Sequence, residues 1–133
     1  MDINGKPWRE SFDVPGSAHG VTPIPTGTRV GKLLVSSGIR GGDPLTGKLP
    51  ADATQQVQFA FQHMDSLLDA AGASLADVAR VTVFLKDLGL REHVNVEWLR
   101  RFPDPRSRPS RHTLLEDLRG DMQIQLEITA MLP

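Results

Sequence analysis

The sequence predicts an α+β fold, a mixed β-sheet with two helices packed on one face. Three observations lead there. One stretch repeats apolar residues at steps of three and four, as an amphipathic helix does. The last stretch alternates apolar and polar residues, as a half-buried strand does. Read in order, the segments run strands, helix, strand, helix, strands, which is the pattern of helices covering a mixed sheet.

The elements follow from their residues. Residues 1–28 are rich in Gly and Pro, and Gly20 to Gly27, with Pro23 and Pro25, reads as extended chain and turns. Val30 to Ser36 carries Leu33, Leu34 and Val35 and reads as one short buried strand ending at Ser37-Gly38. Gly41 to Gly47 is a turn-rich loop. Asp52 to Ala71 is the clearest helix, with Val57, Ala60, Phe61, Met64, Leu67, Leu68 and Ala71 on one stripe. Asp52 can cap its start with Gln55 three residues on, and Gly72 suits its stop. Val78 to Leu85 is β-branched and nearly continuous, which predicts a strand buried on both faces. Leu90 to Phe102 reads as a second helix with Leu90, Val94, Trp98, Leu99 and Phe102 inward; Pro103 and Pro105 stop it. From Met122 to Met131, Met122, Ile124, Leu126, Ile128 and Ala130 face one way, and Gln123, Gln125, Glu127 and Thr129 the other.

Composition narrows the function. A chain of 133 residues fits one domain, 1–133, and 39% apolar residues suffice for one core. No repeat or linker divides it. With no cysteine, disulfides and thiolate metal sites are excluded, and a cytoplasmic location is compatible. A formal net charge of −1 argues against a generic nucleic-acid or membrane-surface binder. No apolar run approaches the roughly 18 residues of a membrane span. Met1 to Glu10 lacks an apolar core and mixes charges, so no signal peptide is expected. None of His19, His63, His93 and His112 shows a paired metal spacing, so no metal is expected, and His63 is expected at the surface or the core edge. Gly38-Ile-Arg-Gly-Gly42 lacks the helix and Lys of a phosphate loop.

Six pieces in order resemble one known family. They are Leu33-Leu-Val-Ser-Ser-Gly38, Asp43-Pro-Leu-Thr-Gly47, Leu68-Asp-Ala-Ala-Gly72, Val81-Thr-Val-Phe-Leu-Lys-Asp87, Val94-Asn95 and Pro109-Ser-Arg111, the last followed by Ile124-Gln-Leu-Glu-Ile-Thr-Ala130. Together they resemble the RidA (reactive intermediate deaminase, or YjgF) family from about Gly27 onward. The resemblance implies a chorismate-mutase-like fold, a homotrimer with a central barrel, and active sites in clefts between subunits. It implies hydrolysis of small enamine or imine acids, such as 2-aminoacrylate, to a 2-keto acid and ammonia, with no cofactor.

The resemblance also selects residues. Arg111 matches the family's signature arginine, and a guanidinium fork suits a carboxylate because it binds bidentately and stays charged. Ser37 precedes a glycine, where backbone can approach a ligand, and matches a family serine beside the bound acid. Asn95, one residue off the apolar stripe, matches an asparagine of the pocket wall. Thr113, after the arginine, matches a position whose backbone meets the ligand in relatives, many of which carry Cys there. Each has a plainer reading: one surface arginine among Arg100, Arg101, Arg106 and Arg108, a turn serine, an ordinary helix polar residue.

Two positions depart from the family pattern. Many deaminating members have a tyrosine in the strand before the Ser-Gly; here Ile24 stands there and implies a more apolar pocket wall. The same members have a last-strand glutamate that positions or activates water; here it is Gln125, which hydrogen-bonds water but cannot take its proton. Glu127 lies on the same strand face about 6.8 Å away. It could supply a carboxylate, or serve as a structural or interface residue. His112 would face away from the pocket if its segment is extended. The leading reading is an imine or enamine hydrolase. The alternative is a non-catalytic binder of small carboxylates, which Gln125 and Ile24 favour. Nucleic-acid binding through Arg100 to Arg111 is set against the near-neutral charge.

Overall fold

A computed structural model describes residues 5–133. Residues 1–4 of the segment read as carrying no signal peptide lie outside the described residues. The chain forms β1 (Arg9–Phe12), β2 (Gly27–Val30), β3 (Leu33–Ser36), β4 (Ile39–Arg40), α1 (Ala53–Ala70), β5 (Val78–Leu85), α2 (Arg91–Arg101), β6 (Ser110–Leu115) and β7 (Ile124–Met131). One mixed sheet has the order β1-β2-β3-β7-β5-β6, and β4 also pairs with β7. Every pairing is antiparallel except β5 with β6, which α2 joins as a crossover.

The helical stripe behaves as its spacing predicts. Val57, Ala60, Phe61, Met64, Leu67 and Leu68 are buried against Ile124, Leu126, Ile128 and Ala130 of β7 and Val81, Val83 and Leu85 of β5. Burying each large side chain contributes about 1.5–3 kcal/mol. Asp52 caps α1 by accepting a hydrogen bond from the backbone N–H of Thr54, and Gly72 follows with φ 75°. The alternation holds from Ile124 onward, with Ile124, Leu126, Ile128 and Ala130 on the helix side; Met122 precedes the strand and lies instead with Gln125 and Glu127 beside the open face.

Four other expectations change. The stretch from Val30 to Ser36 is not one strand: Gly31, at φ 58°, makes the turn of a β2–β3 hairpin that its positive φ permits. Strand β5 is not buried on both faces. Val78, Val81, Val83 and Leu85 meet the helices, whereas Thr82 and Phe84 are half-buried on the open face. Its continuous apolar run therefore serves an open face that carries further apolar side chains, including Leu33, Val35 and Met131. Leu99 of α2 is 52% exposed. Five residues on from Val94, it is turned about 140° around the helix, while Val94, Trp98 and Phe102 keep to the stripe.

His63 is not at the surface. It is buried in α1, and its Nε2 lies 2.6 Å from the carbonyl of Gly42, tying the helix to the loop after β4. Burial holds its pKa below the ordinary value; the bond to Gly42 opposes that shift and the nearby positive charge of Arg40 adds to it. The buried amide of Gln56 does similar work two turns earlier. It donates to the carbonyls of Pro50 and Asp121 and accepts from the N–H of Gln123, anchoring the start of β7.

Candidate functional site

Strand β6 and helix α2 assemble a pocket for one guanidinium. Arg111 lies within β6, in register with Val81, whose side chain faces the helices. Thr113, two residues on, shares that face. Arg111 Nε donates to Thr113 Oγ1 at 3.0 Å, and Nη1 donates to Asn95 Oδ1 at 2.8 Å. The guanidinium carbon sits 5.2 Å from the ring centroid of Trp98. Trp98 follows Asn95 by three residues, so one face of α2 supplies both the acceptor and the aromatic platform.

All of these partners are neutral. No carboxylate pairs with Arg111 among the described residues, and its Nη2 has no protein acceptor there. Burial first, then the positive charge of Arg91, lowers the guanidinium's pKa from its ordinary value. It stays protonated at any working pH. The result is an oriented positive charge that favours an incoming anion.

A second group lies on the open face. Gln125 pairs with Phe84 of β5 and with Arg40 of β4. Ser37 and Gly38 form the bend between β3 and β4, and the N–H of Ser37 donates to the carbonyl of Thr26. A Cβ at Gly38 would stand 2.5 Å from Gln125 Cδ, so the glycine allows the Gln125 side chain to lie against the bend. A depression of about 530 Å³ is lined there by Gln125, Glu127, Phe84, Met122 and His19, among others. Ile24 is not in a strand. It lies in the extended loop before β2 between Pro23 and Pro25, 44% exposed, beside a smaller depression of about 370 Å³ that His19 also borders.

The parity of β5 separates the two groups. Arg111 pairs with Val81 and Gln125 with Phe84, three residues apart on one strand. Successive side chains of a strand point to opposite faces, so Arg111 and Gln125 of one chain are on opposite sides of the sheet. The structure thus brings together Arg111, Asn95 and Thr113, and separately Gln125 with the Ser37-Gly38 bend. His112 pairs with Thr82 and lies on the face away from Arg111, as an extended segment requires.

The arginine run is mostly engaged within the fold. Arg101 contacts Asp65 at 2.8 Å and Glu97 at 3.2 Å, Arg100 contacts Glu97 at 3.0 Å, and Arg108 donates to the carbonyls of Phe102 and Pro103. Burial works against the charge of Arg101, but Asp65 and Glu97 outweigh it and raise its pKa. Among the described residues no cluster of three or more His, Asp or Glu is placed to hold a metal, and no helix is long and apolar enough to cross a membrane.

Comparison with known families gives one match, covering residues 20–132, to the family described as Endoribonuclease L-PSP, the YjgF/RidA family. The chain belongs to the RidA family. It is 27% identical over 111 residues to the 2-iminobutanoate/2-iminopropanoate deaminase of Escherichia coli K12, covering 84% of this chain and 87% of that one. A RutC family protein of Pasteurella multocida is 30% identical over 114 residues, covering 84% and 88%. Among solved structures, the YjgF gene product of E. coli superposes with a TM-score of 0.79 at 26% identity, over 92% of this chain and 98% of that one. RidA from an Antarctic Psychrobacter superposes with a TM-score of 0.82 over 92% and 99% of the two chains; at 23% identity it speaks to the fold alone. The mixed α+β architecture of a sheet with two helices is therefore that of RidA proteins.

Two features of the candidate site were not singled out from sequence. Trp98 belongs to the apolar stripe of α2, and its three-residue spacing from Asn95 is the signal that links the two. His19 carried no signal, because its loop has no periodicity.

Proposed function

We propose that this protein hydrolyses small reactive 2-imino and enamine acids, of the 2-aminoacrylate type, to a 2-keto acid and ammonia, as a single cytoplasmic domain. The observation that carries the reading is Arg111. It is a partly buried guanidinium aimed by two neutral acceptors and an aromatic ring, with no carboxylate to neutralise it. A substrate carboxylate supplies the missing anion, and a charge-assisted contact of this kind holds the reacting carbon in a fixed orientation. The naming of an E. coli relative as an imine deaminase supports the chemistry.

In this reading the complete site forms between subunits of a homotrimer with a central barrel. Arg111, Asn95 and Thr113 come from one chain; Ser37, Ile24 and Gln125 come from the next. Support comes from the sheet itself, which holds the two groups on opposite faces and leaves Leu33, Val35 and Met131 exposed on the open one. Gln125 then hydrogen-bonds the attacking water without accepting its proton. No metal or organic cofactor enters this scheme.

The test is ammonia release from enzymatically generated 2-aminoacrylate and related imino acids. Acceleration over buffer that is lost in Arg111→Ala supports the reading. No acceleration across several side chains would leave the second reading, a binder of small carboxylates, which the proton-inert Gln125 favours. Calorimetry with a 2-keto acid then shows binding without turnover.

A further inference from the structure

The open-face depression contains a titratable side chain that the proposed site does not use. His19 lies in the loop between β1 and β2, where its carbonyl accepts from the N–H of Thr22 in a turn. His19 borders both depressions, the one lined by Gln125 and Glu127 and the one lined by Ile24. Among the residues lining these two, only His19 borders both. Its Nδ1 is shut off from solvent and has no hydrogen-bond partner among the described residues. In the tautomer that carries its hydrogen on Nδ1, Nε2 is the ring nitrogen that can accept a proton.

We propose that His19 is the proton acceptor and donor for hydrolysis at this site, acting beside Gln125. This rests on the imine-hydrolase reading above. Gln125 can hold a water molecule but not take its proton, and imidazole is the side chain suited to do so near neutral pH. The water oxygen bonds to the iminium carbon, the C=N π pair moves to nitrogen, and the water proton goes to His19 Nε2. The imidazolium returns that proton to the nitrogen of the carbinolamine. His19 then takes the hydroxyl proton as the C–N bond breaks, leaving a 2-keto acid and ammonia; ammonia collects the proton and departs as ammonium. The other charged groups facing these depressions are Glu116, Asp117, Arg119 and Glu127 on one side and Asp13 on the other. Their replacement must leave the signature of His19 in place.

The experiment compares the full-length protein with His19→Gln and His19→Ala, using enzymatically generated 2-aminoacrylate across about pH 5–8, where imidazoles titrate. In His19→Gln, kcat falls by roughly 10²- to 10⁴-fold. KM and the calorimetric affinity for a 2-keto acid hold within about twofold, and the rise of kcat with pH disappears. Added imidazole restores part of the rate in His19→Ala, which a merely structural role would not allow. Wild-type kcat and pH profile in His19→Gln, with turnover still lost in Arg111→Ala, overturn the role of His19 alone. No turnover by the wild-type protein overturns the hydrolase reading and this inference together. Should His19→Gln melt well below the wild type, imidazole rescue of His19→Ala decides, and its failure counts against the proposal.

Discussion

Arg101 and Arg111 are ten positions apart in sequence and sit at opposite extremes of use. Arg101, at the end of α2, is enclosed by Asp65 and Glu97, and its charge is neutralised where it stands. Arg111, on β6, is held by a hydroxyl, an amide oxygen and an aromatic face, none of which neutralises it. Both are partly buried, so burial alone does not separate them. The difference lies in the charge of the neighbours. A carboxylate partner consumes an arginine's charge for folding; a neutral scaffold aims the charge and keeps it available.

The comparison can be broken at either end. The largest effect is expected at Arg111. Arg111→Ala should cost about 2–5 kcal/mol of affinity for a 2-keto acid by calorimetry, while the thermal midpoint stays close to wild type. Affinity unchanged by that substitution would show that the free charge serves nothing. Arg101→Ala should do the reverse. It leaves the buried Glu97 with only the exposed Arg100 and lowers stability by about 3 kcal/mol in urea unfolding, with ligand affinity preserved. A smaller effect belongs to the scaffold. Asn95→Ala removes one hydrogen bond to the guanidinium and should weaken keto-acid binding by about 1 kcal/mol, without loss of stability beyond the usual surface range.

The smallest effect concerns His63, which should behave as a structural group like Arg101. Its folded-state pKa lies below the ordinary 6.5, chiefly through burial. Above pH 6.5 the ring is neutral folded or unfolded, and its contribution is fully present. As pH falls below 6.5 the unfolded chain takes up the proton first, so stability declines until the folded-state pKa is passed. The urea midpoint of wild type should drop over that interval more than that of His63→Gln. Equal pH dependence in the two proteins would remove His63 from the account.

Much of the fold was legible because periodicity reports burial directly. The stripe from Val57 to Leu68 and the alternation from Ile124 to Ala130 name the core faces of α1 and β7 without any knowledge of their neighbours. Where the pattern was ambiguous, tertiary context decided. The run from Val78 to Leu85 reads the same for a strand covered on both faces and for one whose second face stays open with Phe84 upon it. Leu99 is apolar and adjacent to the stripe of α2, yet turned outward by the angle of the helix. His63 is buried because the loop carrying Gly42 lies across it, a contact 21 residues away in sequence.

For the candidate site, the family resemblance picked out Arg111 and Gln125, and residue type established what each can carry: a lasting positive charge on Arg111 and no proton acceptance by Gln125. Tertiary structure alone decided their company. Pairing of β5 with β6 set Arg111 against α2, and pairing of β5 with β7 turned Gln125 to the opposite face, towards the depression bordered by His19. The physical reason is that composition and spacing specify local conformation and the face of an element, whereas strand register and loop packing determine which distant charges become neighbours. Charge alone does not distinguish Arg101 from Arg111; the carboxylates that fold against one and not the other do.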